Sequence, residues 1–193
     1  MSEFDREKWN RKYREKPALL TSRPPAPMVE AYAHTAQGRE AIDLACGNGR
    51  NTIYLASKGF RVDAVDISAV ALADLQARIK QPEVRLIEAD LDSFTPQQDH
   101  YDLAVMTNYL DRELIRRTAK ALKKDALFIV ETYMAHADNE KRDSNPGFLL
   151  QPQELKTLFV QGFEIVAYEE FWNEPHELYK MRKQGIVAKK IDL

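Results

Sequence analysis

The sequence is poor in the features that mark several protein classes. It holds one cysteine, Cys46, so no internal disulfide framework can form, and this usage fits a reducing compartment. No stretch approaches the roughly 20 apolar residues that a membrane-spanning helix needs. The opening Met1-Ser2-Glu3-Phe4-Asp5-Arg6-Glu7-Lys8 lacks an apolar run of the signal-peptide kind. Charge of one sign is also missing: 28 Lys and Arg stand against 30 Asp and Glu, a formal net charge of −2. That balance argues against a general nucleic-acid or membrane-surface binder. The four histidines, His34, His100, His136 and His176, show no metal-ligand spacing with another His, Cys or Glu, so no metal is expected. No repeat, low-complexity tract or domain boundary is visible. The expectation is one cytoplasmic domain over residues 1–193, with no nucleic-acid or membrane partner.

What is present is enough apolar residue, 44% of 193, for one sizeable core. The organising stretch runs from Ala41 to Ala56: a short buried strand, a tight turn with Gly47 and Gly49, then a helix. A second strand, Phe60 to Asp66, comes next and ends in a carboxylate. Strand, glycine turn, helix and an acid about twenty residues on make a nucleotide-binding βαβ unit. Gly47 and Gly49 admit close backbone approach and positive φ, and Asp66 is placed to accept hydrogen bonds from ribose hydroxyls. The dinucleotide fingerprint wants a third small residue where this chain has Thr52, and the turn carries Arg50 and Asn51. Asp43, at the strand end, would repel a pyrophosphate and attract an ammonium group. S-adenosylmethionine (SAM), with a sulfonium, an amine and a ribose but no phosphate, suits that set of groups.

The segment Asp43-Leu44-Ala45-Cys46-Gly47-Asn48-Gly49-Arg50-Asn51 resembles motif I of the class I SAM-dependent methyltransferases. Through Gly49-Arg50-Asn51, Tyr54-Leu55-Ala56, Gly59-Phe60 and Val65-Asp66-Ile67-Ser68 it is most similar to their TehB-like branch. The resemblance implies a Rossmann-like, seven-stranded, mostly parallel sheet with an antiparallel edge strand and helices on both faces. It implies SAM as cofactor and adenine recognition at Asp90 and Leu91, and says little of the acceptor. Two departures stand out. Lys123-Lys124-Asp125 replaces the usual Pro-Gly-Gly-like turn. Tyr179-Lys180 falls where the branch often carries a His-Arg pair, which puts an oxyanion acceptor such as tellurite in question.

Along the chain, Glu3 to Lys16 reads as a charged helix with Trp9 and Tyr13 on one face at i,i+4. Pro17, Pro24, Pro25 and Pro27 turn the next stretch into an extended connector. Residues 1–27 are then either a helix packed on the core or a lid over cofactor and substrate, readings that are compatible. A short helix over Met28 to His34 precedes the first strand. Further helices are expected over Arg50 to Lys58, from Ser68 as N-cap through Ile79, over Glu113 to Leu122 and over Pro152 to Val160. Strands are expected at Val84 to Glu88, Tyr101 to Thr107, Ala126 to Thr132, Phe163 to Phe171 and Gly185 to Lys189. Met134 to Phe148 has no apolar period, and a loop this long is either functional, as is often the case, or disordered.

Each candidate has a structural alternative. Asp43 meets the cofactor's methionyl end or caps turn N–H groups. Asp66 binds ribose, and Ile67 packs on adenine or in the core. Asp90 and the Leu91 N–H meet adenine. Thr107, ending strand four, offers a carbonyl to the cofactor amine at the edge where ligands of open parallel sheets collect. Tyr109 and Tyr133 line the substrate pocket or belong to the core, and Trp9, Tyr13 and the 134–148 loop are further wall candidates. His136 is the one histidine to consider as a general base, against a solvated loop histidine. Tyr109 and Tyr133 complete the weak catalytic candidates. Cys46 reads as packing. The leading expectation is in-line methyl transfer to a small-molecule O, N, S or chalcogen nucleophile. Its alternatives are a non-catalytic module binding SAM or S-adenosylhomocysteine (SAH) and acting through a partner, and an NAD-dependent oxidoreductase.

Overall fold

The computed structural model describes residues 3–175 and 177–191, so His176 lies outside the described residues. Seven strands form one sheet: β1 (Glu40–Leu44), β2 (Arg61–Asp66), β3 (Val84–Glu88), β4 (Leu103–Thr107), β5 (Leu127–Tyr133), β6 (Phe163–Trp172) and β7 (Arg182–Lys190), in the order β3-β2-β1-β4-β5-β7-β6. The first five pair parallel, and β7 runs antiparallel to both neighbours. The edge strand β6 thus pairs antiparallel, as part of the expected terminal hairpin, while β7, one place in, carries the reversal of direction. Because β7 is reversed, the β6–β7 connector lies at the edge where β1, β4 and β5 end.

Among the described residues, six α-helices accompany the sheet: α1 (Glu3–Glu15), α2 (Pro27–Tyr32), α3 (Arg50–Ser57), α4 (Ala69–Arg78), α5 (Arg112–Ala121) and α6 (Glu154–Leu158). Parallel strands joined by crossover helices are covered on both faces, and β4 is buried throughout. Alternation divides its side chains. Leu103 and Val105 join Val29 of α2 and Leu55 of α3 in one apolar cluster, whereas Ala104 and Met106 join Leu114 and Ile115 of α5 in the other. Ser68 caps α4 by accepting from the Ala71 N–H, and Asp111 caps α5 by accepting from Glu113 and Leu114.

The 134–148 segment is more ordered than its composition implies. Met134 bridges to Leu150, and the buried Asn139 donates to the Met134 carbonyl and accepts from the Arg182 N–H. These bonds stitch the loop to the start of β7, which begins three residues earlier than the apolar pattern of Gly185 to Lys189 implied.

Candidate active site

At the C-terminal edge of β1, β2 and β4 lies a cleft of about 290 Å³. The turn after β1 forms its floor under backbone constraint, with Ala45 at φ 55°, Gly47 at 54° and Gly49 at 78°. Left-handed geometry is unusual for alanine, and Asn108, after β4, shares it at φ 58°. Both Ala45 and Asn108 line the cleft, and strain of this kind concentrates at functional sites.

Asp66 ends β2 and is 7% exposed. Its Oδ2 accepts from the Gly47 N–H at 2.8 Å and its Oδ1 from the Ser68 N–H at 2.8 Å. Burial pushes its pKa up, opposed by these backbone bonds. A turn donor that a dinucleotide fold would aim at pyrophosphate is here taken by a carboxylate, which keeps lone pairs for further donors.

The cleft brings together Trp9, Tyr13, Gly47, Asp66, Ile67, Leu91, Thr107, Tyr109 and Tyr133 of the expected residues. Trp9 and Tyr13 stand with ring centroids 5.9 Å apart. Burial holds the Tyr13, Tyr109 and Tyr133 phenols protonated well above the ordinary range, with nearby carboxylates adding to the effect. None of the three is therefore a base at neutral pH.

Asp43, Gly49, Asp90, His136 and the rest of the 134–148 loop stand outside the lining. Asp43 points across β1 to α3, where its Oδ2 accepts from the Thr52 hydroxyl at 2.6 Å. Burial raises its pKa to about 7 against the pull of Thr52 and Arg50, and its Oδ1 has no partner among the described residues. A Cβ on Gly49 would overlap the Leu75 side chain, so this glycine serves the packing of α3 against α4. A Cβ on Gly47 would instead meet the Tyr13 hydroxyl at 3.0 Å. Asp90 accepts from the Asp92 N–H, holding its own turn. His136 stacks edge-on against Trp172 and accepts from the Asp138 N–H, since the stitching of its loop to β7 turns it away from the cleft.

The remaining wall comes from residues the sequence reading did not single out for the site. Lys12, Leu19 and Arg23 reach in from the N-terminal segment, with Asn48 and Arg50 from the glycine turn and Glu177 from the β6–β7 connector. The N-terminal segment is anchored by Asn10, whose Oδ1 accepts from the Ser68 hydroxyl at 2.8 Å, and by Asn51, which bonds the Ala26 N–H and the Thr107 hydroxyl. Behind Tyr133 lies a buried charge network. Lys183, 0% exposed, donates to Glu131 at 3.2 Å and to Glu174 at 2.9 Å, and Arg50 donates to Glu174 at 2.9 Å. Although burial raises the Glu174 pKa, Lys183 and Arg50 outweigh it and bring it down to about 2. Glu131, more deeply placed, is pushed up by burial.

Among the described residues, no group of three or more His, Cys, Asp or Glu could hold a metal ion, and no helix is long and apolar enough to cross a membrane.

A parallel sheet closed by a reversed seventh strand, with a phosphate-averse glycine turn under its cleft, defines the class I methyltransferase fold. Residues 41–125 match the family described as "Methyltransferase domain". TehB of Haemophilus influenzae is 26% identical over 147 residues, 72% of this chain and 50% of that protein. Its crystal structure superposes with a TM-score of 0.74 at 22% identity, covering 86% of this chain and 62% of the other. The trans-aconitate 2-methyltransferase of Delftia acidovorans is 39% identical over 74 residues, 37% of this chain and 27% of that enzyme. The glycopeptide N-methyltransferase MtfA, solved with sinefungin, shares the fold with a TM-score of 0.63 at 18% identity, over 90% of this chain and 89% of the other. Residues 41–125 thus carry a match to a methyltransferase domain, and the chain is similar to the TehB-like branch of the class I SAM-dependent methyltransferases. It spans half or less of the length of the two curated relatives named here.

Proposed function

We propose that residues 1–193 work as one SAM-dependent methyltransferase domain that alkylates a small-molecule nucleophile, with residues 3–27 as its lid. The observation that carries this reading is the cleft itself. A buried carboxylate, Asp66, faces it from the end of β2, Gly47 lines it with the Tyr13 hydroxyl set close against its backbone, and the N-terminal aromatics Trp9 and Tyr13 cover it.

The residues present fit the cofactor. Asp66 is the acceptor for the ribose hydroxyls, and Ile67 and Leu91 offer apolar surface and a backbone N–H to adenine. Thr107 and Asn108 offer carbonyls to the methionyl amine. Arg50 also lines the cleft, with its side chain 8% exposed and its guanidinium held by Glu174. MtfA, a structural neighbour, was solved with sinefungin, an analogue of SAM, which supports SAM as the cofactor. Asp43 acts from beneath the floor, through Thr52 and the field it shares with Arg50.

SAM brings its own leaving group, so the chain's part is positioning and exclusion of water. Orientation of two reactants accounts for about 7–11 kcal/mol of a barrier, and the Trp9–Tyr13 cover removes solvent from the line of attack. Tyr109 and Tyr133 stay neutral and orient the acceptor by hydrogen bonding. The absence of long apolar segments and the single cysteine fit work in the cytoplasm.

The test is calorimetric SAH binding together with methyl-tritiated SAM and a metabolite extract. Binding with label in a small product supports the reading. Tight SAH binding without any methylated product favours the non-catalytic module, and NADH affinity above that for SAM favours an oxidoreductase.

A further inference from the structure

Where α1 covers the cleft it brings positive charge that no carboxylate pairs. Lys8, Lys12 and Lys16 recur at every fourth position, as a stripe beside that of Trp9 and Tyr13. Lys12 is the member that lines the cleft, its ammonium 4.1 Å from the centroid of the Trp9 ring. Burial lowers its pKa, and the charges of Lys141, Lys16 and Lys8 lower it further. Among the described residues none of these four lysines is in an ion pair, unlike Lys123, Lys183 and Lys189.

The helix dipole does not account for Lys12. Cations in a last turn complement the dipole, and Lys12 and Arg14 both stand in that turn. An ammonium drawn over an aromatic ring into a cleft is a different matter, because a half-buried charge is ordinarily paired. Like charges four residues apart also destabilise the helix that bears them. The cleft's other two cations are placed elsewhere. Arg50 is held by Glu174, and Arg23 acts on Tyr13, beside Asp66. Lys12 is turned the opposite way, since Lys141 follows β5, whose last residue, Tyr133, walls the cleft. The groups assigned above to adenosine, Asp66, Ile67 and Leu91, stand instead at the ends of β2 and β3. Glu177, on the Tyr133 side, is engaged by the Tyr133 hydroxyl, the Asn108 amide and Lys183 and does not pair with Lys12.

We propose that the methyl acceptor carries an oxyanion group, a carboxylate or a phosphate, and that the Lys12 ammonium binds it at the Tyr133 end of the cleft. This rests on the methyltransferase reading above. The anionic group is a handle and not the reacting atom, since an ammonium bound to the attacking lone pair would hold it back. The lone pair of the reacting O, N or S forms the new bond to the methyl carbon. The C–S bonding pair returns to sulfur, and a proton carried by the reacting atom passes to solvent. Holding the acceptor by its far end turns binding energy into orientation. Lys8, Lys16 and Lys141 add to the local potential and draw anions to the mouth. A cationic acceptor would be repelled there. Lysine is a compact charge with three donors and lacks the planar fork of arginine, so it serves carboxylate and phosphate alike.

The experiment uses the full chain with methyl-tritiated SAM and matched probes that differ in the anionic group. The pairs are thioglycolate and thioglycolamide, salicylate and salicylamide, and phosphoethanolamine and ethanolamine. SAH affinity is measured alongside by calorimetry. Expected is labelling of at least one anionic probe at least tenfold above its neutral partner, and the pair that responds tells carboxylate from phosphate. That labelling should fall at least tenfold in Lys12→Gln and recover in Lys12→Arg, with SAH affinity within twofold of wild type in both. Equal labelling within the pairs, no label in any anionic probe with SAH bound, or label undiminished in Lys12→Gln overturns the proposal. A tenfold loss of SAH affinity in Lys12→Gln assigns the ammonium to the cofactor's own carboxylate and overturns it as well. Failure of the wild-type chain to bind SAH overturns the methyltransferase reading itself.

Discussion

Residues that look alike in the motif do different work. Gly47 faces the cleft and Gly49 faces Leu75, so equal substitutions separate. Gly49→Ala combines a left-handed φ of 78° with overlap of Leu75. It should lower the urea midpoint by the equivalent of about 1–3 kcal/mol, while the folded fraction still binds SAH within twofold. Gly47→Ala should instead push Tyr13 aside and weaken SAH binding, read by calorimetry. Asp66→Ala removes an acceptor from two backbone N–H groups and, on the proposed assignment, from the ribose. At about 1.5–3 kcal/mol per bond to a charged group, SAH affinity should fall at least tenfold and the thermal midpoint should drop. Unchanged affinity would remove the ribose assignment. Asp43 titrates near 7 in the folded chain against 3.8 for a free side chain. Between those values the folded state keeps a proton that the unfolded state has released, so this stabilisation is lost as pH rises through about 7. The urea midpoint should fall from pH 5 to pH 8, and Asp43→Asn should flatten that slope.

Elements were legible in the sequence where local pattern decides them. The alternating strands and helices from β1 to β5 arise from buried runs, caps and glycine stops, and β3 spans the residues its pattern marks. The aromatics of the cleft wall were visible too, because Trp9 and Tyr13 share a helix face. Asn10, on the same helix, was not: a polar residue among charges gives no sign that Ser68, 58 positions away, is its partner. The course of the 134–148 loop depends on Asn139 meeting Arg182, and Glu177 reaches the cleft because β7 is reversed. Such placements are set by distant partners, which periodicity does not record. Asn10→Ala strips the acceptor from the buried Ser68 hydroxyl, which keeps only the Ala71 N–H, a loss of about 1–3 kcal/mol. Since α1 lies outside the main core, the loss should appear chiefly as SAH dissociation about tenfold faster by stopped-flow, with a small change in unfolding.

For the whole molecule, the charge network behind Tyr133 joins the N-terminal half to the last two strands. Arg50 begins α3, Glu131 sits in β5, Glu174 in the β6–β7 connector and Lys183 in β7. Lys183→Met would leave Glu131 buried without its cation, at a cost of about 3–5 kcal/mol. Pairing it with Glu131→Gln should recover most of that loss in urea unfolding, because a neutral amide no longer carries an isolated charge. If the single variant unfolds like wild type, the network contributes little to stability.

The reversed β7 also has a consequence for how the molecule comes off the ribosome. The glycine turn and Asp66 emerge early, whereas the connector bearing Glu174 and Glu177 is fastened only once Lys183 has been synthesised and threaded between β5 and β6. The residues proposed to seat the cofactor are therefore synthesised well before the connector that forms the far wall of the cleft, which is the last part of its lining to emerge.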